Sequence, residues 1–229
     1  MRSAINAHEF ILASLLTSYP DEMFSVDVQL MLEEEQSMFS QELRRRITGI
    51  ISDTGKIDDF RSEYLNLFDS GRGVAPLYET EYGRQRAFFK ANELSAIAGF
   101  YQAFGFELGG EDTAREMADH LSVELEFYAL LLMKQAHLEE SGDGIGAAIV
   151  KSAREKFLRD HLGRFVSAIL ARPGVSESEI YADILRFCEK LIQSECAILG
   201  VVPEIANWVE GEQETSAEVS CGGTVGCLK

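Results

Sequence analysis

The chain has 229 residues, of which 46% are hydrophobic and 26% charged, a composition that is typical of globular proteins and excludes disorder throughout. Its 38 acidic and 21 basic residues give a formal net charge of −17, so its surface repels the phosphates of nucleic acids and anionic membranes. This charge favours a basic ligand, although an acidic excess also serves simply to keep many proteins in solution.

The N-terminal segment, MRSAINAHEFILASLLTSYPDE, lacks the basic stretch, apolar segment and cleavage site of a secretion signal. No apolar run approaches the ~20 residues that are needed to cross a bilayer. We therefore expect a cytoplasmic protein without a membrane span.

Helical periodicity dominates the chain and is interrupted by segments rich in glycine, proline and serine. The first predicted helix places Phe10, Ala13, Leu16 and Thr17 on one face and ends at Pro20. The predicted helices that follow span residues 28–38, 41–51, 57–68, 85–104, 112–139, 147–171, 176–199 and 203–209. No segment alternates as a strand does. The pattern predicts an all-α protein with a single globular helical bundle over residues 1–210 and a flexible tail over 211–229.

Two of these helices carry expectations about burial. The helix over residues 85–104 is apolar on most sides, which predicts a central position in the bundle. The next helix has a predicted buried stripe with three- and four-residue spacing, formed by Met117, Leu121, Leu125, Tyr128 and Leu132.

All four cysteines lie in the last quarter of the chain. Cys188 and Cys196 are separated by about 12 Å along a predicted helix, too far for a mutual disulfide, so they are predicted to be core thiols. Cys221 and Cys227 lie in the glycine-rich tail, where they would close a disulfide loop, bind a metal with a further ligand, or remain free. A redox- or metal-binding helical protein that uses these two cysteines is therefore the alternative function.

The sequence carries no catalytic signature. It contains no P-loop and no Rossmann fingerprint, and no histidine follows a carboxylate by three residues, as the di-iron sites of helical bundles require. Glu116, His120 and Glu124 share one face of the predicted helix, but one helix alone gives an incomplete metal site. We predict no enzymatic activity, no cofactor and no resident metal.

Three segments of the sequence are more specific than its helical periodicity. They are EYLNLF followed by APLYETEYG (63–68 and 75–83), DHLSVELEFYALL (119–131), and FLRDHLGRF (157–165). In this order and spacing they resemble the TorD/DmsD family of redox enzyme maturation chaperones, to which the NarJ-type proteins are related. The resemblance covers about residues 60 to 166.

This resemblance implies an all-helical cytoplasmic chaperone, monomeric or homodimeric, that is not an enzyme. Such a chaperone binds the twin-arginine signal peptide or the apo form of the catalytic subunit of a molybdopterin oxidoreductase, and delays export until the cofactor is inserted. A NarJ-type chaperone would instead serve a subunit that is retained in the cytoplasm. The family's peptide-binding residues correspond to Tyr64, Leu67, Phe68, Tyr78, Glu79, Tyr82, Asp119 and His120. The chain departs from the family pattern by having Leu77 in place of a proline, Pro76 one position earlier, and Thr80 in place of the usual serine.

The residue types suit a ligand that has two guanidinium groups and an apolar segment. Glu79, Asp119 and Glu124 are candidate acceptors, since arginine binds carboxylates in a bidentate manner. The aromatic residues provide an apolar wall, and His120 is expected to tune the site near neutral pH. The helical spacing of Tyr64, Leu67 and Phe68 is equally that of core residues, and His161 is predicted to be structural.

Overall fold

The computed structural model describes residues 2–34, 38–69, 74–83, 86–108 and 116–206, without the side chains of residues 2–6 and 86–89. The helices of these residues are α1 (Arg2–Thr17), α2 (Phe24–Glu33), α3 (Gln41–Ile51), α4 (Thr54–Phe68), α5 (Arg86–Phe104), α6 (Leu121–Glu140), α7 (Gly144–Phe157), α8 (Val166–Leu170), α9 (Pro173–Glu177) and α10 (Glu179–Leu199). A 3-10 turn over Glu79–Glu81 and a π-helical segment over Leu158–Leu162 complete them. The described ranges contain no β-strand, so the predicted all-α class is confirmed.

The core is built on α1 and α6, which pack along each other more extensively than any other pair of described elements, with α10 against α1. The predicted face of α1 is fully buried, and the rings of Phe10 and Tyr128 lie 4.8 Å apart between their centroids. Leu121, Leu125 and Leu132 of α6 are buried as predicted. Each such side chain contributes about 1.5–3 kcal/mol through burial, so the packing of α1 on α6 contributes substantially to stability.

Side-chain caps fix several helix boundaries. Ser40 caps α3 and Asp53 caps α4, each accepting a hydrogen bond from a backbone N–H of the first turn. The Ser178 side chain accepts from Tyr181 N at 3.0 Å and caps the start of α10. Gly200, with φ of 69°, provides the left-handed residue that ends α10.

The long helix predicted from residue 112 begins only at Leu121, so this part of the prediction is wrong. Residues 116–120 are not helical, because their backbone pairs with the loop before the 3-10 turn. His120 then acts as the N-cap of α6, accepting a hydrogen bond from Ser122 N. Met117 is consequently 49% exposed rather than part of the buried stripe, and the predicted shared helical face of Glu116, His120 and Glu124 does not exist.

Three further predictions about helices are corrected. Among the described side chains of α5, only Ile97 and Tyr101 are buried, so this helix is peripheral rather than central. The helix predicted over 147–171 is interrupted after Phe157, where Gly163 N donates to Leu158 O in the five-residue spacing of a π-helix. Residues 201–206 are not helical, and residues 207–209 lie outside the described residues.

The cysteines of the described chain behave as predicted. Cys188 and Cys196 are buried free thiols, and burial raises the pKa of Cys188 to about 12. Cys221, Cys227 and the predicted tail lie outside the described residues. Within the described ranges, no helix has both the length and the apolar character needed to span a membrane.

Candidate functional site

The segment APLYETEYG crosses the start of α6 and is fastened to it. Tyr78 and His120 form an isolated antiparallel bridge, in which Glu79 N donates to Asp119 O and Leu121 N donates to Leu77 O, both at 2.8 Å. Within the loop, the Tyr82 hydroxyl donates to the Pro76 carbonyl at 2.7 Å. The shifted proline therefore takes part in closing the loop through its carbonyl.

Asp119 fixes this loop through hydrogen bonds on its buried side. Its side chain is 1% exposed, and its Oδ2 accepts from Thr80 Oγ1 at 2.5 Å and from Thr80 N at 3.3 Å. Its Oδ1 has no hydrogen-bond partner among the described residues. The threonine that replaces the family's serine keeps the hydroxyl that this contact needs. In the folded structure Asp119 faces the protein interior and not the solvent.

Glu79 is also held inside the protein. It is 2% exposed, with Oε2 at 3.1 Å from His161 Nδ1 and Oε1 at 3.3 Å from Arg164 Nη1. Arg164 also donates to the Asp160 carbonyl. His161 therefore has the structural role predicted from the sequence, and it joins the loop to the π-helical segment.

Glu124 is the most deeply buried of the predicted acceptors. It is 0% exposed, and the described residues give its carboxyl oxygens no partner other than the neighbouring Glu79 carboxyl group. Burial, together with the nearby carboxylates of Glu79 and Asp119, raises its pKa well above the usual value. These surroundings favour a protonated carboxyl group, which is not the form that attracts a guanidinium.

An open cleft lies on the other side of the loop. Its volume is about 360 Å³. It is lined by Tyr19, Tyr64, Leu65, Phe68, Asp69, Tyr78, Glu116 and His120. Its aromatic wall is continuous, since the Tyr19 and Tyr64 ring centroids are 5.7 Å apart and those of Tyr64 and Phe68 5.2 Å. The cleft thus combines an aromatic wall with the two carboxyl groups of Asp69 and Glu116.

Glu116 is placed at the mouth of this cleft by Tyr78. The Tyr78 hydroxyl donates to Glu116 Oε2 at 2.8 Å. Burial raises the pKa of Glu116, and the hydrogen bond from Tyr78 opposes that shift. The same burial, reinforced by the Glu116 contact, raises the pKa of Tyr78, so its hydroxyl remains protonated at neutral pH.

His120 forms the floor of the cleft and is neutral. Its Nδ1 lies 2.7 Å from Ser122 Oγ and 3.2 Å from Ser122 N, and its Nε2 lies 3.6 Å from Glu116 Oε2 and 3.5 Å from the Tyr64 hydroxyl. Burial lowers its pKa to about 3. The expectation that His120 titrates near neutral pH is therefore wrong, because its ring is 1% exposed.

The structure divides the predicted site residues into two groups. Tyr64, Phe68, Tyr78 and His120 line the cleft, and of these Tyr64, Phe68 and His120 are themselves buried. The buried group that lies outside the cleft lining consists of Leu67, Glu79, Tyr82, Asp119 and Glu124. A peptide-binding role for the predicted set stays a prediction. Sequence reasoning did not identify Tyr19 and Asp69, which adjoin the ends of α1 and α4, and it considered Glu116 only as a metal ligand. Among the described residues no group of three or more His, Cys, Asp or Glu side chains is arranged to hold a metal ion.

The fold and the cleft define an all-α protein with an aromatic and acidic groove. The family model described as nitrate reductase delta subunit matches residues 32–171, and the chain belongs to this family. This family assignment confirms the resemblance to redox enzyme maturation chaperones that the three sequence segments indicated.

Three relatives of this chain are named as reductase assembly chaperones. The chlorate reductase assembly chaperone protein of Ideonella dechloratans is 30% identical over 165 residues, which cover 70% of this chain and 81% of the relative. The perchlorate reductase assembly chaperone protein of Dechloromonas aromatica is 23% identical, covering 73% and 76% respectively. The selenate reductase assembly chaperone protein of Thauera selenatis is 28% identical, covering 66% and 76%.

One solved structure, described as a candidate redox enzyme maturation protein from Archaeoglobus fulgidus, also matches this chain. The match covers 82% of this chain and 93% of the other, with 22% identity and a TM-score of 0.44.

Proposed function

We propose that the protein is an assembly chaperone for an oxidoreductase, and that it acts in the cytoplasm and is not an enzyme. The observation that supports this function is the open aromatic and acidic cleft, found in a chain whose relatives are named reductase assembly chaperones. A chaperone must recognise its client before the client is complete, and a cleft of this size accommodates a few side chains of an extended or helical peptide.

The ligand that best fits the cleft is a twin-arginine signal peptide. Asp69 and Glu116 offer carboxyl groups beside aromatic rings, and a guanidinium suits both, since it forms bidentate bonds and also lies over aromatic faces. Cation–π contacts with the rings of Tyr19 and Tyr78 add about 0.5–2 kcal/mol each. The net charge of −17 would speed the approach of a basic peptide at low salt.

The client in this proposal is the catalytic subunit of a molybdopterin oxidoreductase. While the leader is bound in the cleft, the export machinery has no access to the arginine pair, which gives time for cofactor insertion. The chaperone itself contributes binding and no chemical step. Glu79 and Asp119 then serve as support for the loop, and Tyr64, Phe68, Tyr78 and Glu116 contact the peptide.

Calorimetry with a synthetic peptide tests this function. The peptide carries an Arg-Arg pair followed by about 12 apolar residues, as such leaders do. We expect binding that weakens at least tenfold when the pair is replaced by Lys-Lys, and similarly in the variant Glu116→Gln. Glu42→Gln, an exposed change on α3 outside the cleft, is the matched control and should bind as wild type does. Absence of binding, or equal affinity for both peptides, would contradict the proposal.

A second candidate is a chaperone for a subunit that stays in the cytoplasm. The NarJ-type resemblance, which implies a retained subunit, is the basis for it, and the matching family is described as nitrate reductase delta subunit. Its target would be an N-terminal segment without a working export signal, so affinity for that segment would not depend on an arginine pair. If a gene for an oxidoreductase subunit lies beside the gene for this chain, calorimetry with the N-terminal peptide of that subunit, with and without any Arg-Arg pair, separates the two candidates.

A further inference from the structure

A further cleft lies between α5 and the end of α7. Its volume is about 470 Å³, compared with about 360 Å³ for the aromatic and acidic cleft. The lining from α5 consists of the exposed small residues Ala96, Gly99 and Ala103 and the rings of Phe100 and Phe104. Three small residues beside two aromatic rings leave room for a large apolar side chain, which aromatic rings pack against favourably.

The described part of the chain ends beside this cleft. The Ala206 N–H donates to the Arg164 carbonyl at 2.9 Å, and Arg164 Nη1 donates to the Asp160 carbonyl at 3.1 Å. Asp160 lines the cleft. Two hydrogen bonds thus lead from Ala206 to the rim, and three residues of extended chain span about 10 Å. Residues 207–210, which lie outside the described residues, therefore begin within reach of the cleft.

The sequence that follows Ala206 is complementary to the lining of the cleft. It reads NWVEGEQE, and its Trp208 is the only tryptophan of the chain. An indole ring has a large apolar surface and packs on other aromatic rings in tilted and edge-to-face geometries. The exposed Lys156 also lines the cleft, with its Nζ 5.6 Å from the centroid of the Phe100 ring. Glu210, two positions after Trp208, supplies the opposite charge.

We propose that this cleft holds the chain's own residues 207–210, with Trp208 against Phe100 and Phe104 and Glu210 beside Lys156. The proposal concerns a different surface from the aromatic and acidic cleft and does not depend on the client. The segment would act as a strap that joins the peripheral helix α5 to the π-helical segment, and it would close an apolar cleft to other proteins. Because the strap is covalently attached beside the cleft, its effective concentration there is high, which favours it over a separate partner.

Tryptophan fluorescence of the full chain tests the strap, because under selective excitation all the emission comes from Trp208. The wild-type emission should be blue-shifted and poorly quenched by acrylamide, relative to the protein unfolded in urea. Ala96→Glu places a carboxylate in the cleft and should shift both measurements to near their values in urea, because burying that charge is costly. Ala98→Glu is the matched control and should behave as wild type, since Ala98 is exposed on the same helix and does not line the cleft.

A second variant keeps the test decisive. Ala103→Gln changes another exposed position of the lining and should act as Ala96→Glu does, and circular dichroism reports whether each variant is folded. Wild-type emission equal to that of the unfolded protein would overturn the proposal. Unchanged emission in a folded variant of the cleft would also overturn it, because Trp208 would then be buried elsewhere.

Sedimentation velocity separates a strap within one chain from an exchange between two copies. We expect the blue shift to persist when the protein is diluted to a monomer. If the blue shift is lost together with a dimer, Trp208 occupies the cleft of a second copy, and the proposal of a strap within one chain is wrong.

Discussion

Replacing Thr80 by valine tests whether the loop is fixed by Asp119. The change keeps the shape of the side chain and removes the hydroxyl that donates to Asp119 Oδ2 at 2.5 Å. A hydrogen bond to a charged group contributes about 1.5–3 kcal/mol. Because Asp119 Oδ1 has no partner among the described residues, the buried carboxylate would keep only the Thr80 N–H at 3.3 Å. We therefore expect a loss near the upper end of that range.

Chemical and thermal unfolding measure this loss. About 3 kcal/mol corresponds to a fall in Tm of about 6–12 °C for a chain of this size. Thr80→Ser is the matched control, because it retains the hydroxyl and removes one methyl group, at a cost of about 1 kcal/mol. If the valine variant is as stable as the serine variant, Asp119 does not hold the loop through Thr80, and its role as a ligand acceptor would have to be reconsidered.

Two further predictions concern titration and packing. The pKa of His120 is lowered to about 3 in the folded protein, so between pH 6.5 and 3 the protein takes up a proton at His120 when it unfolds. The contribution of neutral His120 to the free energy of unfolding is therefore complete above pH 6.5. It is lost as the pH falls towards 3, by up to about 1.4 kcal/mol per pH unit. His120→Asn, which keeps an N-cap, should make urea unfolding less dependent on pH between 6.5 and 4.5, and parallel curves would contradict this. Gly163→Ala should destabilise the protein by about 1–3 kcal/mol, because a Cβ at this position would clash with Leu158 O and Pro203. Gly49→Ala is the control and should stabilise α3 by about 0.5–1 kcal/mol, because a Cβ there meets open space. Equal effects of the two variants in thermal unfolding would refute the clash.

The predicted helices were most accurate where a local signal ended them. The bounds of α3 and the end of α10 agree with the prediction. Ser40, a residue type that favours the N-cap, precedes α3, and Gly200, a residue type that tolerates a left-handed conformation, follows α10. The start of α6 was not predicted, because residues 116–120 carry a good helical pattern and are held out of the helix by a loop some forty positions earlier in the chain. Periodicity reports local preference and does not report such a contact.

The candidate site was also predicted in part, where local sequence signals were sufficient. Its segments were recognisable from the sequence, and Tyr64, Phe68, Tyr78 and His120 do line one cleft. The sequence could not show which carboxyl groups face that cleft, since the burial of an acidic side chain depends on tertiary packing and not on the residue type.

By itself, the sequence indicated that this chain is all-α and that it resembles the redox enzyme maturation chaperones, and it drew attention to the segments that contain Tyr64, Phe68, Tyr78 and His120. These properties follow from hydrophobic spacing, capping residues and ordered motifs, which are all local in the chain. Only the tertiary structure decided that Glu79 pairs with His161 and Arg164 while Glu116 faces the cleft. The physical reason is that burial and pairing of a charge depend on residues far apart in sequence, whose approach is decided when the helices pack.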